Sequence, residues 1–164
     1  EGMQRLKKDE IDKKIIDFSL SNKPIFAICL GMQMLMESSE EFGHTEGLKL
    51  IDGKVKKFDP QKVQYVPHVG WNKVIPNSYL NMNSNSSFSS DNFIKNNFFY
   101  FVHSFRVIPG KNIKKFTYTK YGDENFCSSF EYKNIFATQF HPEKSGFNGI
   151  NLIKNFFNKI NNAN

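Results

Sequence analysis

The stretch that decides the fold reads Pro24-Ile25-Phe26-Ala27-Ile28-Cys29-Leu30-Gly31-Met32-Gln33. Its first half is a short apolar run, which indicates a buried strand, and the residues after Cys29 have the apolar spacing of a helix. A strand that ends in a tight turn before a helix exposes the residue at that turn. Backbone N–H groups and the helix dipole favour a thiolate there, so we predict a reactive Cys29 with a lowered pKa.

The length and composition bound the class of protein. With 164 residues, the chain has the size of one domain, which we predict over residues 1–164. It begins with Glu1, directly in a helical pattern, and we expect that its N-terminal part is missing. No apolar run approaches the roughly 18 residues that span a bilayer, so no membrane association is expected. Two cysteines exclude a disulfide framework and favour a reducing, cytoplasmic location.

The charged residues give no evidence for a nucleic-acid or metal site. The formal charge is +6, but the lysines are dispersed along the chain. A nucleic-acid interface gathers basic residues on one face, and no aromatic stacking motif is visible, so we rank RNA binding last among the possible functions. The histidines and cysteines lack the spacing of a metal cluster. We therefore predict no metal and no other cofactor.

The apolar patterns predict an α/β domain. They indicate one helix over residues 3–18, a second from residue 30 to about 43, and a last helix over 150–160. Strands are predicted at 48–51, 54–58, 71–75, 98–102, 116–119, 126–130 and 134–140. The Asn- and Ser-rich segment 77–97 is predicted to be a flexible surface insertion.

His141-Pro142-Glu143 follows the predicted strand at 134–140, just as Cys29 follows the predicted strand at 24–28. Residues two apart in extended chain point to the same side, so we expect Glu143 to hydrogen-bond one ring nitrogen of His141 while the other faces a thiol. Nucleophile, base and orienting group together form a catalytic triad. Taken singly, a cysteine after a strand is more often an inert core residue, and His-Pro-Glu more often a turn.

Three motifs carry a resemblance to a family. They are Cys29-Leu30-Gly31-Met32-Gln33, then Pro67-His68-Val69-Gly70-Trp71-Asn72, then Phe140-His141-Pro142-Glu143-Lys144-Ser145. Together they resemble the class I, triad-type glutamine amidotransferases, and within them the glutaminase subunit of imidazole glycerol phosphate synthase. The resemblance implies a flavodoxin-like fold with a mostly parallel sheet, a small antiparallel addition and the first strands missing.

The resemblance also implies residue roles and a function. Cys29 would be the nucleophile, His141 the acid and base, and Glu143 the group that holds His141. The implied substrate-binding residues are Gln33, Glu41, Ser104 and Phe105, and the implied partner-facing residues are Trp71, Asn72, Tyr100 and Lys144. The implied reaction is hydrolysis of L-glutamine to glutamate and ammonia. The ammonia would pass to a cyclase partner in a heterodimer, which makes imidazole glycerol phosphate and AICAR in L-histidine biosynthesis.

Two departures from the family bear on activity. Family members usually begin with strand and helix units, including a glycine-rich oxyanion segment, that this chain lacks; we expect the fragment by itself to be weak or inactive, because one such donor is worth about 10² to 10³ in rate. Phe105 stands where the family commonly has Tyr. Two alternatives stay open at this point: a sibling glutaminase that serves another amidation reaction, and an inactive docking fragment.

Overall fold

The computed structural model describes residues 2–77 and 97–162. The predicted insertion at 77–97 lies outside them except for its two end residues. The helices are α1 (Gly2–Lys8), α2 (Ile11–Leu20), α3 (Leu30–Met34) and α4 (Gly146–Asn162), with a 3₁₀ turn at Pro142–Lys144. The strands are β1 (Ile25–Ile28), β2 (Ser38–Ser39), β3 (Thr45–Glu46), β4 (Gly53–Lys57), β5 (His68–Lys73), β6 (Ile75–Pro76), β7 (Phe98–His103), β8 (Phe105–Pro109), β9 (Lys115–Tyr121), β10 (Glu124–Tyr132) and β11 (Ile135–Thr138).

Two of the predicted helices differ from the structure. The first is divided into α1 and α2 by a break at Glu10, which adopts a left-handed backbone with φ of 55°. The second ends at Met34 rather than near residue 43, because Ser38-Ser39 forms β2 and pairs with both β3 and β4. Tertiary strand pairing there overrides the apolar spacing that favoured a longer helix. The predicted last helix is confirmed as α4.

The main sheet has the strand order β1-β11-β10-β9-β6. Strands β1 and β11 are parallel, and the other three pairs are antiparallel. The predicted α/β class is confirmed, but these strands depart from the predicted mostly parallel sheet. Short turns join β9 to β10 and β10 to β11, and a connection of two residues permits only antiparallel pairing.

Two smaller sheets complete the strands. One has the order β3-β2-β4-β8, and the other is the ribbon of β5 and β7. The predicted strand at 48–51 is absent, since residues 48–50 have no strand pairing and 51–52 form a bend. Aromatic side chains fill the core between the ribbon, the main sheet and α4: Phe99, Phe101, Phe126, Phe136, Phe140 and Phe156. This core holds β7 against the ends of β1 and β11, where the candidate site lies.

Candidate active site

Cys29 stands at the turn between β1 and α3. Its backbone has φ of 48° and ψ of −103°, a conformation that non-glycine residues rarely adopt. The Cys29 N–H donates to the Thr138 carbonyl at 2.7 Å, and the Cys29 carbonyl accepts from the Gln33 N–H at 3.2 Å. The predicted strand, turn and helix are therefore present, and hydrogen bonds on both sides hold the turn.

His141 follows β11, the parallel neighbour of β1, so both residues come after the same edge of the sheet. The Nδ1–H of His141 donates to Glu143 Oε1 at 2.6 Å, which is the predicted orienting bond. This bond leaves Nε2 of His141 to take up or release a proton. The backbone of His141 is held as well, because its N–H donates to the Tyr100 carbonyl and its carbonyl accepts from Ser145 Oγ.

The sulfur of Cys29 contacts groups that sequence reasoning missed. Gln139 Nε2 lies 3.6 Å from Cys29 Sγ, and the Val102 carbonyl oxygen lies 4.0 Å from it. Gln139 is fully buried and lies two residues before His141. Because residues two apart in an extended chain point to the same side, this spacing was the one signal in the sequence that could have placed Gln139 beside the site. The contact between Cys29 and His141 themselves stays a prediction.

The predicted lowering of the Cys29 pKa is wrong. Burial raises the pKa of this thiol above its ordinary value, and the nearby carboxylates of Glu143 and Glu41 raise it further. Hydrogen bonds from the Leu30 N–H and Gln139 oppose these effects without reversing them. Helix α3 has only five residues, so few peptide dipoles add up behind the sulfur. Cys29 is therefore a neutral thiol at rest and needs a base when it reacts.

Alkylation with iodoacetamide tests this resting state. We expect Cys29 to be modified at a rate that rises about tenfold per pH unit from pH 7 to pH 9, because only the thiolate reacts and its fraction rises that steeply below the pKa. Cys127 is the internal control: burial strongly raises the pKa of that thiol as well, so it should stay unmodified. Mass spectrometry of the Cys29 peptide measures the rate. A rate independent of pH over this range would mean that a thiolate is already present.

Two of the predicted substrate-binding residues line one cavity. Gln33 and Glu41 contribute to a cavity of about 230 Å³ next to α3. Pockets for drug-sized ligands are larger, so this volume suits a ligand that is smaller than a typical drug. Gln33 is buried, and its Nε2 donates to the Phe105 carbonyl at 2.9 Å and to Gln139 Oε1 at 3.1 Å. Gln33 thereby joins the cavity to the residue that contacts the Cys29 sulfur.

The other two predicted substrate-binding residues lie where β7 passes into β8: Ser104 is between the strands, and Phe105 is the first residue of β8. Ser104 and Phe105 are half-buried, and the Ser104 carbonyl accepts from the Phe58 N–H at 3.1 Å. The Phe105 carbonyl accepts from Gln33 and from His103 Nδ1. The structure thus connects Phe105 with Gln33, whereas a direct role of either residue in substrate binding stays a prediction.

Two of the predicted partner-facing residues share an exposed surface. Trp71 on β5 lies opposite Tyr100 on β7, and their rings meet edge to face at 6.2 Å. Val69 and Val102 form the next outward pair of this ribbon. Trp71 and Val69 are each 55% exposed and Val102 is 37% exposed. These four residues, Val69, Trp71, Tyr100 and Val102, form what we call the ribbon patch.

Asn72 and Lys144 occupy different places. Asn72 is on the opposite face of β5 from Trp71, and its Nδ2 donates to the Lys120 carbonyl at 3.0 Å. Lys144 is exposed at the end of the 3₁₀ turn that begins directly after His141. Trp71 lies close to Gly146, which is two residues after Lys144 in the sequence, whereas Asn72 points away from the ribbon patch.

Comparison with known proteins shows the family of this chain. The family model described as "Glutamine amidotransferase class-I" matches residues 4–160. The chain belongs to the class I glutamine amidotransferases. The predicted family, and the enzyme class it implies, are therefore confirmed. Outside the match lie only a few residues at each end.

Individual relatives show which members of this family the chain is similar to. The chain is 37% identical over 157 residues to the imidazole glycerol phosphate synthase subunit HisH of Prochlorococcus marinus (strain NATL2A), with 96% of this chain and 71% of that protein covered. The HisH subunit of Sulfurimonas denitrificans is 39% identical over 159 residues, with 95% and 72% covered. A glutamine amidotransferase structure from Thermotoga maritima has a TM-score of 0.62 at 16% identity, and the chain covers 59% of it. That structure supports the fold alone.

None of the helices in the two described ranges combines the length and the apolar character that crossing a bilayer requires.

Proposed function

We propose that this chain is the glutaminase part of an imidazole glycerol phosphate synthase. In this role it hydrolyses L-glutamine to glutamate and ammonia, and a cyclase partner uses the ammonia in L-histidine biosynthesis. The observation that carries the proposal is the pair of adjacent parallel strands β1 and β11: Cys29 directly follows β1, and the hydrogen-bonded His141 and Glu143 come shortly after β11. Two free cysteines suit the cytoplasm as its location.

The proposed reaction begins with the neutral thiol of Cys29. Its sulfur attacks the side-chain amide carbon of glutamine while its proton passes to Nε2 of His141. His141 then gives this proton to the amide nitrogen, the carbon–nitrogen bond breaks, and ammonia leaves. A glutamyl thioester remains on Cys29. His141 next takes a proton from water, whose oxygen attacks the thioester, and glutamate leaves as the thiol regains its proton.

The raised pKa of Cys29 fits this sequence of steps. A neutral thiol is a weak nucleophile, so proton transfer to His141 has to accompany the attack. Glu143 holds the ring by Nδ1 and stabilises the positive charge that His141 gains at that moment. The Leu30 N–H, directed at Cys29, comes from the residue after the nucleophile, where hydrolases with a nucleophile at a strand-to-helix turn place one donor for the developing oxyanion.

The ribbon patch is the surface that we assign to the cyclase partner. It combines one tryptophan, one tyrosine and two valines on a two-stranded ribbon, and aromatic residues dominate the binding energy of many interfaces. Lys144 is two residues before Gly146, which Trp71 approaches, and we assign its positive charge to the same interface. The patch also touches the site, because the Tyr100 carbonyl accepts the N–H of His141.

A binding experiment tests the partner assignment. The complete gene product is titrated with its cyclase partner, and the Kd is measured by calorimetry. We expect Trp71→Ala to raise the Kd about 30-fold or more, as the loss of a central aromatic anchor does. Leu20→Ala is the control, since Leu20 is 73% exposed at the end of α2 and is not part of the ribbon patch. Equal Kd values for wild type and Trp71→Ala would place the partner elsewhere.

An activity experiment tests the reaction. The same complex should release glutamate from L-glutamine, and the cyclase reaction should proceed on glutamine without added ammonium. A complex that needs ammonium salts, with no glutamate formed, would contradict the proposal. Cyclisation that uses ammonium only, alongside amidation of a different acceptor, would instead identify a sibling glutaminase.

A further inference from the structure

Two buried histidines lie beside the site on the inner face of the β5–β7 ribbon. His68 and His103 are opposite each other in the strand register, and they are only 3% and 6% exposed. His68 Nδ1 and His103 Nε2 are 3.1 Å apart. Aromatic rings surround the pair: Phe58, Phe101, Tyr121 and Phe126. The reaction proposed above uses neither side chain.

Both rings are neutral at neutral pH. Burial lowers the pKa of His68 to about 4 and that of His103 to about 3. The proximity of His68 and His141 contributes to the lowering of the His103 pKa, and the hydrogen bond to the Phe105 carbonyl opposes it. Each ring therefore carries one N–H and one lone pair.

The hydrogen bonds then fix which nitrogen carries the hydrogen. His103 Nδ1 lies 2.8 Å from the Phe105 carbonyl oxygen, which only accepts, so His103 is protonated at Nδ1. Its Nε2 must accept, and the donor is His68 Nδ1–H. His68 Nε2 is then a lone pair as well, and it accepts from Asn72 Nδ2 at 3.4 Å. In this series of hydrogen bonds, every donor points in the direction from Asn72 toward Phe105.

The chain of hydrogen bonds ends at the catalytic side of the molecule. The Phe105 carbonyl that His103 holds also accepts from Gln33, and Gln33 donates to Gln139. Gln139 in turn lies against the Cys29 sulfur. At its other end, Asn72 is anchored to the Lys120 carbonyl and directly follows Trp71 of the ribbon patch.

We propose that His68 and His103 are positioning residues for the glutaminase. Both rings are neutral and have a fixed tautomer. Together they hold the Phe105 carbonyl, and this carbonyl holds Gln33 at the cavity that Gln33 and Glu41 line. The inference rests on the proposed function, since it assigns the pair to glutamine binding. The same hydrogen bonds also connect β5, which bears part of the ribbon patch, to the cavity. A wrong tautomer in either ring would break the chain, because two donors or two acceptors would then face each other.

The tautomers are measured directly by nitrogen NMR. The complete gene product is labelled with ¹⁵N-histidine and observed at pH 7. Both His68 and His103 should show the Nδ1–H tautomer, which is the less common form in free histidine. An Nε2–H tautomer or a protonated ring at either position would overturn the proposal. This readout does not depend on catalysis.

Two substitutions of His103 test the link to glutamine. Asparagine places its amide nitrogen where Nδ1 is, so His103→Asn retains the donor to Phe105. Glutamine reaches the Nε2 position instead, so His103→Gln loses that donor. We expect His103→Gln to raise the KM for glutamine about tenfold with a smaller change in kcat, since a buried carbonyl loses a partner. His103→Asn should stay within about threefold of the wild-type KM.

The outcomes separate this inference from the proposed function. Wild-type complex that releases no glutamate would contradict the proposed function, while the tautomers would still decide whether the chain of hydrogen bonds exists. Active wild type together with an unchanged KM in folded His103→Gln would overturn the positioning role alone. A purely structural pair would lower the melting temperature of both variants and leave the KM unchanged. Should neither variant fold, the NMR measurement on the wild type decides.

Discussion

Replacing Cys29 with alanine is expected to abolish glutamate release by the complex of the complete gene product with its cyclase. The covalent route needs a sulfur, and the loss of a nucleophile that acts together with a base costs several orders of magnitude, so we expect a fall of at least about 10⁴-fold. Glutamate formation is followed with a coupled dehydrogenase assay. Synthesis with ammonium in place of glutamine should be retained, because the partner's own reaction does not use Cys29.

Cys127→Ala is the matched control for this experiment. It removes the other cysteine, which is buried on β10 and hydrogen-bonded to the Ser129 carbonyl. We expect it to retain glutaminase activity and to lose about 1 kcal/mol in the free energy of unfolding, as small core truncations do. Retained glutamate release in Cys29→Ala, or its loss in Cys127→Ala, would contradict the assignment of the nucleophile.

Replacing His141 with alanine is expected to lower kcat by about 10² to 10⁴-fold, the range attributed to general acid and base catalysis. The effect should be large because the Cys29 thiol is neutral at rest and loses the only base that we assign to it. Thiol alkylation of Cys29 should change much less, since iodoacetamide needs no proton at its leaving group. Rapid-quench kinetics with glutamine measures the rate of both half-reactions.

Glu143→Gln is the companion to that variant. The Glu143 side chain is 46% exposed, so water can partly take its place at Nδ1 of His141. We therefore expect a loss smaller than that of His141→Ala. A larger loss in Glu143→Gln than in His141→Ala, or a His141→Ala variant that kept half of the wild-type rate, would mean that the roles of base and orienting group are wrongly assigned.

Local patterns in the sequence predicted the parts of the site that depend on local chemistry. The turn at Cys29 and the bond between His141 and Glu143 follow from residues adjacent in the chain, and the structure contains both. The parallel neighbours β1 and β11 then bring them to one edge. The residue patterns within 25–33 and 135–143 were sufficient to predict the turn and the hydrogen bond.

Features that depend on tertiary contacts were not predictable from local patterns. The pKa of Cys29 is set by burial and by the carboxylates of Glu143 and Glu41, which are near in space but distant in the sequence, so the helix-terminus argument gave the wrong sign. Gln139 reaches the sulfur, and His68 meets His103, across gaps of 110 and 35 residues in the sequence. Helix α3 ends early because Ser38-Ser39 finds strand partners at residues 45–46 and 54–55.

A crystal structure of the complete gene product in complex with its cyclase and an unreactive glutamine analogue tests the central claim most directly. The measurement is the distance from Cys29 Sγ to His141 Nε2. We expect at most about 4 Å, within reach of direct proton transfer, with the analogue's side-chain carbonyl carbon beside the sulfur. Separation of the two side chains by more than about 8 Å, with the analogue bound away from Cys29, would contradict it.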